Sequence, residues 1–220
     1  MVLPTRLART HLPALAAHFA ALSDDDLRLR FGRAMTEAGI AQYLQSIDFA
    51  RDALFGVFDT GTSGTLTLLG VAHLAPERDD GRALELGLSV RPDGRRRGVA
   101  QCLLSRAITH ARAQGAETLK MDCVSDNTPM RRLALRAGMT LDAAQGDLHA
   151  QLPLVPPSAA TLWAVAWADL LEDSVGAADY ALRASLTQAL AAIQLHASMP
   201  PDEHECEAAP ANDPAATPVP

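Results

Sequence analysis

Cysteine is scarce in this 220-residue chain: Cys102, Cys123 and Cys206 are the full set. An odd, sparse set builds no disulfide framework and points to a reducing, cytoplasmic setting. Long hydrophobic runs are missing too, so no segment is expected to span a bilayer. The N-terminal stretch up to Asp26 is apolar and Ala-rich, but His11, Pro13 and His18 interrupt it at amphipathic spacing. It reads as a strand and a helix rather than a signal peptide. Positive charge is also short. With 19 Lys+Arg against 26 Asp+Glu the formal net charge is −7, which argues against a dedicated nucleic-acid face. Lysine is nearly absent, Lys120 standing beside 18 arginines, a bias of composition rather than a functional signal. Internal repeats are lacking. There is no Gly-Lys-Ser/Thr of a nucleotide-triphosphate loop and no three spaced glycines of a dinucleotide fingerprint.

What is present fits one globular domain with an added C-terminal segment. The apolar fraction is 48%, and a chain of this length can bury a core without disulfides or a structural metal. The acidity is uneven: Asp202, Glu203, Glu205, Glu207 and Asp213 lie beyond residue 197 with no basic residue among them, leaving the rest at about neutral, 21 acids against 19 bases.

Periodicity predicts a strand over 2–7 and a helix over 10–22, followed by an N-cap at Ser23 with three aspartates in the first turn. A further helix is predicted over 36–48. Strands are predicted over 53–59, 65–74 and 83–91, the first two joined by a hairpin loop at 61–64. A Gly/Arg loop at 92–98 leads into a helix over 98–114. Then come a strand over 118–124, a short helix capped by Thr128 with Pro129 at its first position, a stop at Gly138, and two strands within 139–154. Pro156-Pro157 marks a boundary, two helices are read over 159–174 and 177–197, and the Pro/Ala/acid-rich tail over 198–220 is read as disordered. The pattern is mixed α/β (α+β), with a mostly antiparallel central sheet flanked by helices.

The most informative stretch is Val90-Arg91-Pro92-Asp93-Gly94-Arg95-Arg96-Arg97-Gly98-Val99-Ala100-Gln101. It leaves a β-rich run and opens a helix, whose first turn has amide donors without intrahelical partners and a favourable dipole for an anion. Gly98 lets a ligand approach the backbone, Ala100 keeps the next turn open, and three consecutive arginines favour phosphate. Taken alone, the same stretch is equally compatible with a solvated surface loop.

Arg95-x-x-Gly98-x-Ala100 resembles the Arg/Gln-x-x-Gly-x-Gly/Ala signature of the GNAT superfamily of acyl-CoA-dependent N-acyltransferases. Asn127 through Met139 resembles that family's second block: an Asn, a short helix, then Gly138 followed by a bulky apolar residue. Residues 22–31 resemble a subgroup that includes the acyltransferase domains of bacterial protein-lysine acetyltransferases. The resemblance covers roughly residues 1–153 and implies a GNAT-like domain over 1–155, with 156–197 as a helical extension.

The resemblance implies acetyl-CoA as co-substrate, its pyrophosphate held by the backbone amides of Arg95, Arg96, Arg97, Gly98, Val99 and Ala100. It implies β-like pairing of the pantetheine arm with Leu88, Ser89 and Val90, and polarisation of the thioester carbonyl by an N–H near Leu88. Asn127 would hydrogen-bond the pantetheine or a strand end; an ordinary turn Asn ahead of a helix fits it equally well. Glu85, thirteen residues before Gly98, takes the place of the subgroup's general base. Strand alternation separates Glu85 and Gly87 from Leu84, Leu86 and Leu88, and an apolar neighbourhood is expected to raise its pKa. The alternative is a strand Glu on a solvated face.

The sequence departs from the family where many members carry a Tyr that protonates the leaving thiolate: Ala134 stands there. An acyl-CoA-binding protein without turnover is therefore the alternative function. Cys102 and Cys123 read as buried small hydrophobes. His204-Glu205-Cys206 is too weak a pattern for a metal site, and no metal is expected. Trp163 and Trp167 read as helix-packing residues. The partners expected are acetyl-CoA, an amine acceptor and, by homodimerisation, a second copy of the chain, with no nucleic acid and no membrane.

Overall fold

Apolar runs at 53–58 and 68–72 and apolar alternation at 118–124 build the middle of the sheet. In the computed structural model, which describes residues 4–59, 66–77, 82–144 and 147–155 together with Ser185, seven strands form one sheet in the order β1-β2-β3-β4-β5-β7-β6. They are β1 (Thr5–Leu7), β2 (Ala53–Asp59), β3 (Thr67–Pro76), β4 (Ala83–Val90), β5 (Thr118–Val124), β6 (Thr140–Ala144) and β7 (Asp147–Pro153). Every neighbouring pair is antiparallel except β4 and β5. That pair is parallel because α4 (Val99–Ala113) crosses over between the two strands. The expectation of a mixed, mostly antiparallel sheet is met.

The two faces of the sheet carry two cores. On one, Leu86 and Leu88 of β4 meet Val99, Leu103, Leu104 and Ala107 of α4, with Ala134 of α5 (Thr128–Arg136) and Leu119 and Met121 of β5. On the other, Leu7, Leu54, Leu68 and Val71 meet Leu15 and Phe19 of α1 (Leu12–Ala20), Leu27 of α2 (Asp24–Phe31) and the partly buried Ile40, Tyr43 and Leu44 of α3 (Glu37–Ser46). Each fully buried Leu contributes about 2 kcal/mol by removal of apolar surface from water.

Caps fix where helices begin. Ser23 Oγ accepts the Asp26 N–H at 3.2 Å, as its sequence position predicts, and Thr36 Oγ1 accepts the Gly39 N–H at 3.1 Å. The cap of α5 falls one residue earlier than the sequence suggests. Asn127 Oδ1 accepts the Met130 N–H at 3.2 Å, so Thr128 and Pro129 are already helical. Residues 10–11 belong to a short 3₁₀ turn ahead of α1. Among the described residues no helix is long and apolar enough to cross a membrane. The 61–64 loop, the two C-terminal helices with Trp163 and Trp167, and the acidic tail with Cys206 lie outside the described residues.

Candidate active site

The parallel ladder between β4 and β5 is short. It pairs Ala83 with Thr118, Leu84 with Leu119 and Glu85 with Lys120, and there it stops. β4 nevertheless continues to Val90 and β5 to Val124, so the strands part directly after Glu85. The hydrogen-bond phase of β4 decides what faces the opening. Glu77 N–H donates to Ala83 O at 3.0 Å and Arg91 N–H to Leu69 O at 2.8 Å, bracketing a regular antiparallel ladder with β3. Odd-numbered residues of β4 therefore bond β3, and the N–H and C=O groups of Leu88 and Val90 point to the β5 side, where no β5 residue pairs with them. Such an edge can hold an extended chain by β-like pairing.

Beyond Val90 the chain makes a 3₁₀ turn, Pro92–Gly94, and enters α4 through Gly98. Gly98 has φ +80, and a Cβ placed on it would meet nothing within 4 Å. Arg96 also has positive φ, 59; a non-Gly residue held there carries strain of the kind that gathers at ligand clamps. The first helical bond of α4 runs from Cys102 N–H to Gly98 O at 3.0 Å, leaving the amides from Gly98 to Gln101 without a backbone acceptor among the described residues, at a helix N-terminus. The Arg95 amide is engaged by Pro92 O at 3.3 Å, so it differs from the other five amides of the expected pyrophosphate cradle.

The three arginines are unequal. Arg95 pairs with Asp26 of α2, and Arg97 Nη2 pairs with Asp59 Oδ2 at 2.8 Å. Arg96 has no ion pair among the described residues. On the other lip of the opening, Arg28 of α2 reaches Asp126 at 3.0 Å. One helix thus ties the loop after β4 to the loop after β5. Asn127 is buried in that second loop and caps α5.

Glu85 is exposed. The leucines beside it turn to the α4 face, so its carboxylate is not enclosed by apolar side chains as the sequence pattern suggests. Lys120, its neighbour across the ladder, gives its ammonium to Glu77 at 2.6 Å. On the face that Glu85 shares with Gly87 and Ser89, the register of β3 and β4 brings in groups the sequence does not connect. His73 lies opposite Gly87. Its Nε2–H donates to Asp52 Oδ2 at 3.1 Å, which makes Nδ1 the acceptor of the Tyr43 hydroxyl at 2.7 Å. Burial lowers the His73 pKa against the opposing effect of Asp52, and burial raises the Tyr43 pKa.

Further along, His18 of α1 donates Nδ1–H to Leu68 O at 3.0 Å and accepts the Ser89 hydroxyl at Nε2, 2.9 Å. Burial pushes its pKa down to about 4, so it stays neutral and holds this tautomer at neutral pH. The signal for both histidines was a polar residue at an inward position of an apolar segment: His18 between Leu15 and Phe19, His73 between Ala72 and Leu74. Ala134, where a Tyr is common in the resembled family, is fully buried at 0% exposure and offers no hydroxyl. Of the two cysteines expected to be buried, Cys123 is buried and Cys102 only partly. Among the described residues no group of three or more His, Cys, Asp or Glu is placed to hold a metal ion.

Residues 5–140 match the family model described as an acetyltransferase (GNAT) domain. Among curated proteins, none matches in sequence. Solved structures share the fold. The GNAT domain of S. lividans PAT superposes with TM-score 0.58 at 16% identity, over 69% of this chain and 89% of that one. The protein yncA from Salmonella typhimurium, solved with its cofactor acetyl-CoA, gives 0.55 at 18%, over 72% and 97%. A ribosomal-protein-alanine N-acetyltransferase from Brucella melitensis gives 0.54 at 19%, over 69% and 99%.

Proposed function

The chain belongs to the GNAT acetyltransferase family, and from that premise we propose that it transfers the acetyl group of acetyl-CoA to a primary amine in a ternary complex, with Glu85 as general base. The observation that carries the reading is the end of the β4–β5 ladder at Glu85 and Lys120. It leaves the edge of β4 unpaired between the exposed Glu85 and the start of α4.

In this reading the amides of Arg96, Arg97, Gly98, Val99 and Ala100 hold the pyrophosphate, helped by the Arg96 guanidinium and by Arg95 once Asp26 yields it. Leu88, Ser89 and Val90 line the pantetheine arm, with the backbone of Leu88 and Val90 pairing to it. The Leu88 N–H polarises the thioester carbonyl and stabilises the oxyanion that forms when the amine adds. Glu85 removes the proton that makes the ammonium ion non-nucleophilic, directly or through a water. Asn127 keeps the far lip in place by capping α5. Collapse of the tetrahedral adduct forms the amide and expels the thiolate, which takes its proton from water because Ala134 supplies none. In this reading the enzyme works in the cytoplasm.

A second reading, an acyl-CoA-binding protein without turnover, draws on that same Ala134. Purified protein mixed with acetyl-CoA and a panel of amines and peptides, followed by release of free thiol, separates the two. Thiol release that depends on an amine supports transfer; acetyl-CoA binding with no release across the panel supports the second reading.

A further inference from the structure

On the acceptor side of Glu85 one cation has no anion among the described residues. Arg30, in the last turn of α2, lies partly buried across Gly87: a Cβ built on Gly87 would stand 1.8 Å from Arg30 Nη2 and 2.1 Å from Cζ. Gly87 sits two residues along β4 from Glu85, on the same face. The guanidinium is held by packing, 4.8 Å from the Phe31 ring centre and 5.9 Å from that of Tyr43. Its one hydrogen bond among the described residues is long, Nη2 to Tyr43 Oη at 3.4 Å.

The hydroxyl that receives it is itself oriented. Tyr43 donates to His73, and Asp52 holds His73 from behind. Tyr43 therefore keeps an oxygen lone pair toward Arg30, and Phe19 and Phe31 lock its ring edge-on at 5.5 and 5.0 Å between centroids. The neighbouring arginines of the site differ: Arg28, Arg95 and Arg97 each pair with a carboxylate, while Arg30 reaches none among the described residues. Most of its donors are left for something that enters the site.

A planar guanidinium with open donors matches a carboxylate bidentately. Its charge repels a plain alkylammonium ion, and an acceptor that carries its own carboxylate removes that repulsion. We propose that Arg30 is the carboxylate-binding residue of the acceptor site and that the acceptor is a small aminocarboxylic acid, its amine toward Glu85 and its carboxylate on Arg30. Two residues of strand span about 7 Å. That distance suits an amine and a carboxylate on the same or nearby carbons, unlike a protein lysine, whose ε-amine has no carboxylate of its own. The inference rests on the reading of Glu85 as the amine side of the site.

The test is acetyl transfer from acetyl-CoA to free amino acids, β-alanine and γ-aminobutyrate, each against its own amide, and to a lysine-containing peptide. Wild type is expected to favour acids over amides by about 30-fold or more in kcat/KM, the range of one charge-assisted hydrogen-bond pair. Arg30→Met collapses that ratio through KM for the acid while acetyl-CoA affinity persists, and Arg30→Lys recovers part of it. Equal use of acids and amides by wild type, better use of the peptide, or an unchanged ratio in Arg30→Met overturns the proposal. Should Arg30→Met fail to fold, Gly87→Ala displaces the same guanidinium and is read by the same ratio. If no amine releases thiol, transfer fails as the function, and calorimetric binding of acid against amide to wild type and Arg30→Met still decides Arg30. Acid-selective binding lost in the variant supports its role, and no acid selectivity overturns it.

Discussion

The two faces of β4 are built to opposite specifications. Leu84, Leu86, Leu88 and Val90 pack against α4, α5 and β5, and that face is dry and ordinary. Glu85, Gly87 and Ser89 face a set of polar groups, His18, Arg30, Tyr43, His73 and Asp52, each oriented by a named partner. One strand thus carries the fold with one side and presents polar groups with the other, and beyond Glu85 its edge toward β5 is unpaired. Stability, cofactor affinity and turnover are therefore separable by substitution.

The largest separation is expected at the edge. Gly98→Glu places a negative side chain where a Cβ now meets only open space, and acetyl-CoA affinity is expected to fall about 100-fold or more through repulsion of phosphate. Gly98→Ala isolates the backbone cost of φ +80, about 1 kcal/mol in urea unfolding, with a much smaller loss of affinity. If Glu and Ala bind equally, the loop does not hold the pyrophosphate.

On the dry face, Leu103→Ala removes a side chain of 0% exposure and is expected to cost about 2–5 kcal/mol by urea unfolding, through lost transfer energy and a residual cavity. A cost below about 1 kcal/mol would mean that this face is not the closed core described.

The polar face sets a pH dependence. His18 titrates at about 4 in the fold against 6.5 when exposed, so the unfolded chain takes up its proton first as pH falls. Stability that is fully present above pH 6.5 declines toward pH 4 and levels below it, by about 3 kcal/mol for this one group. His11 and His73, also lowered by burial, act in the same direction. Urea midpoints from pH 7.5 to 4 check it, and His18→Gln should flatten part of the slope. An equal slope in that variant would place the proton uptake elsewhere.

Much of this was legible in the sequence, for local reasons. β2 read at its true bounds because its apolar residues run together between turns, and β5 because apolar and polar residues alternate along it. The loop at 92–98 announced itself by Gly98, whose left-handed φ only glycine takes without strain. The cap of α5 was misplaced by one residue because Asn127 and Thr128 are both good caps and stand side by side. Arg95-Arg96-Arg97 read as three equal charges, yet Asp26 and Asp59, far away in the chain, neutralise two of them. Arg30, Tyr43, His73 and Asp52 carried no joint signal, since only the register of β3 on β4 and the docking of α2 and α3 bring them together. Arg30 alone reads as one more charge on a short helix.

The separation of binding from chemistry is tested most directly by Glu85→Gln, measured for acetyl-CoA affinity and for amine-dependent thiol release in the same preparation. Affinity is predicted to stay within about twofold while kcat falls about 100-fold or more, the usual share of a general base. Unchanged turnover, or turnover and acetyl-CoA affinity lost together, would contradict the account.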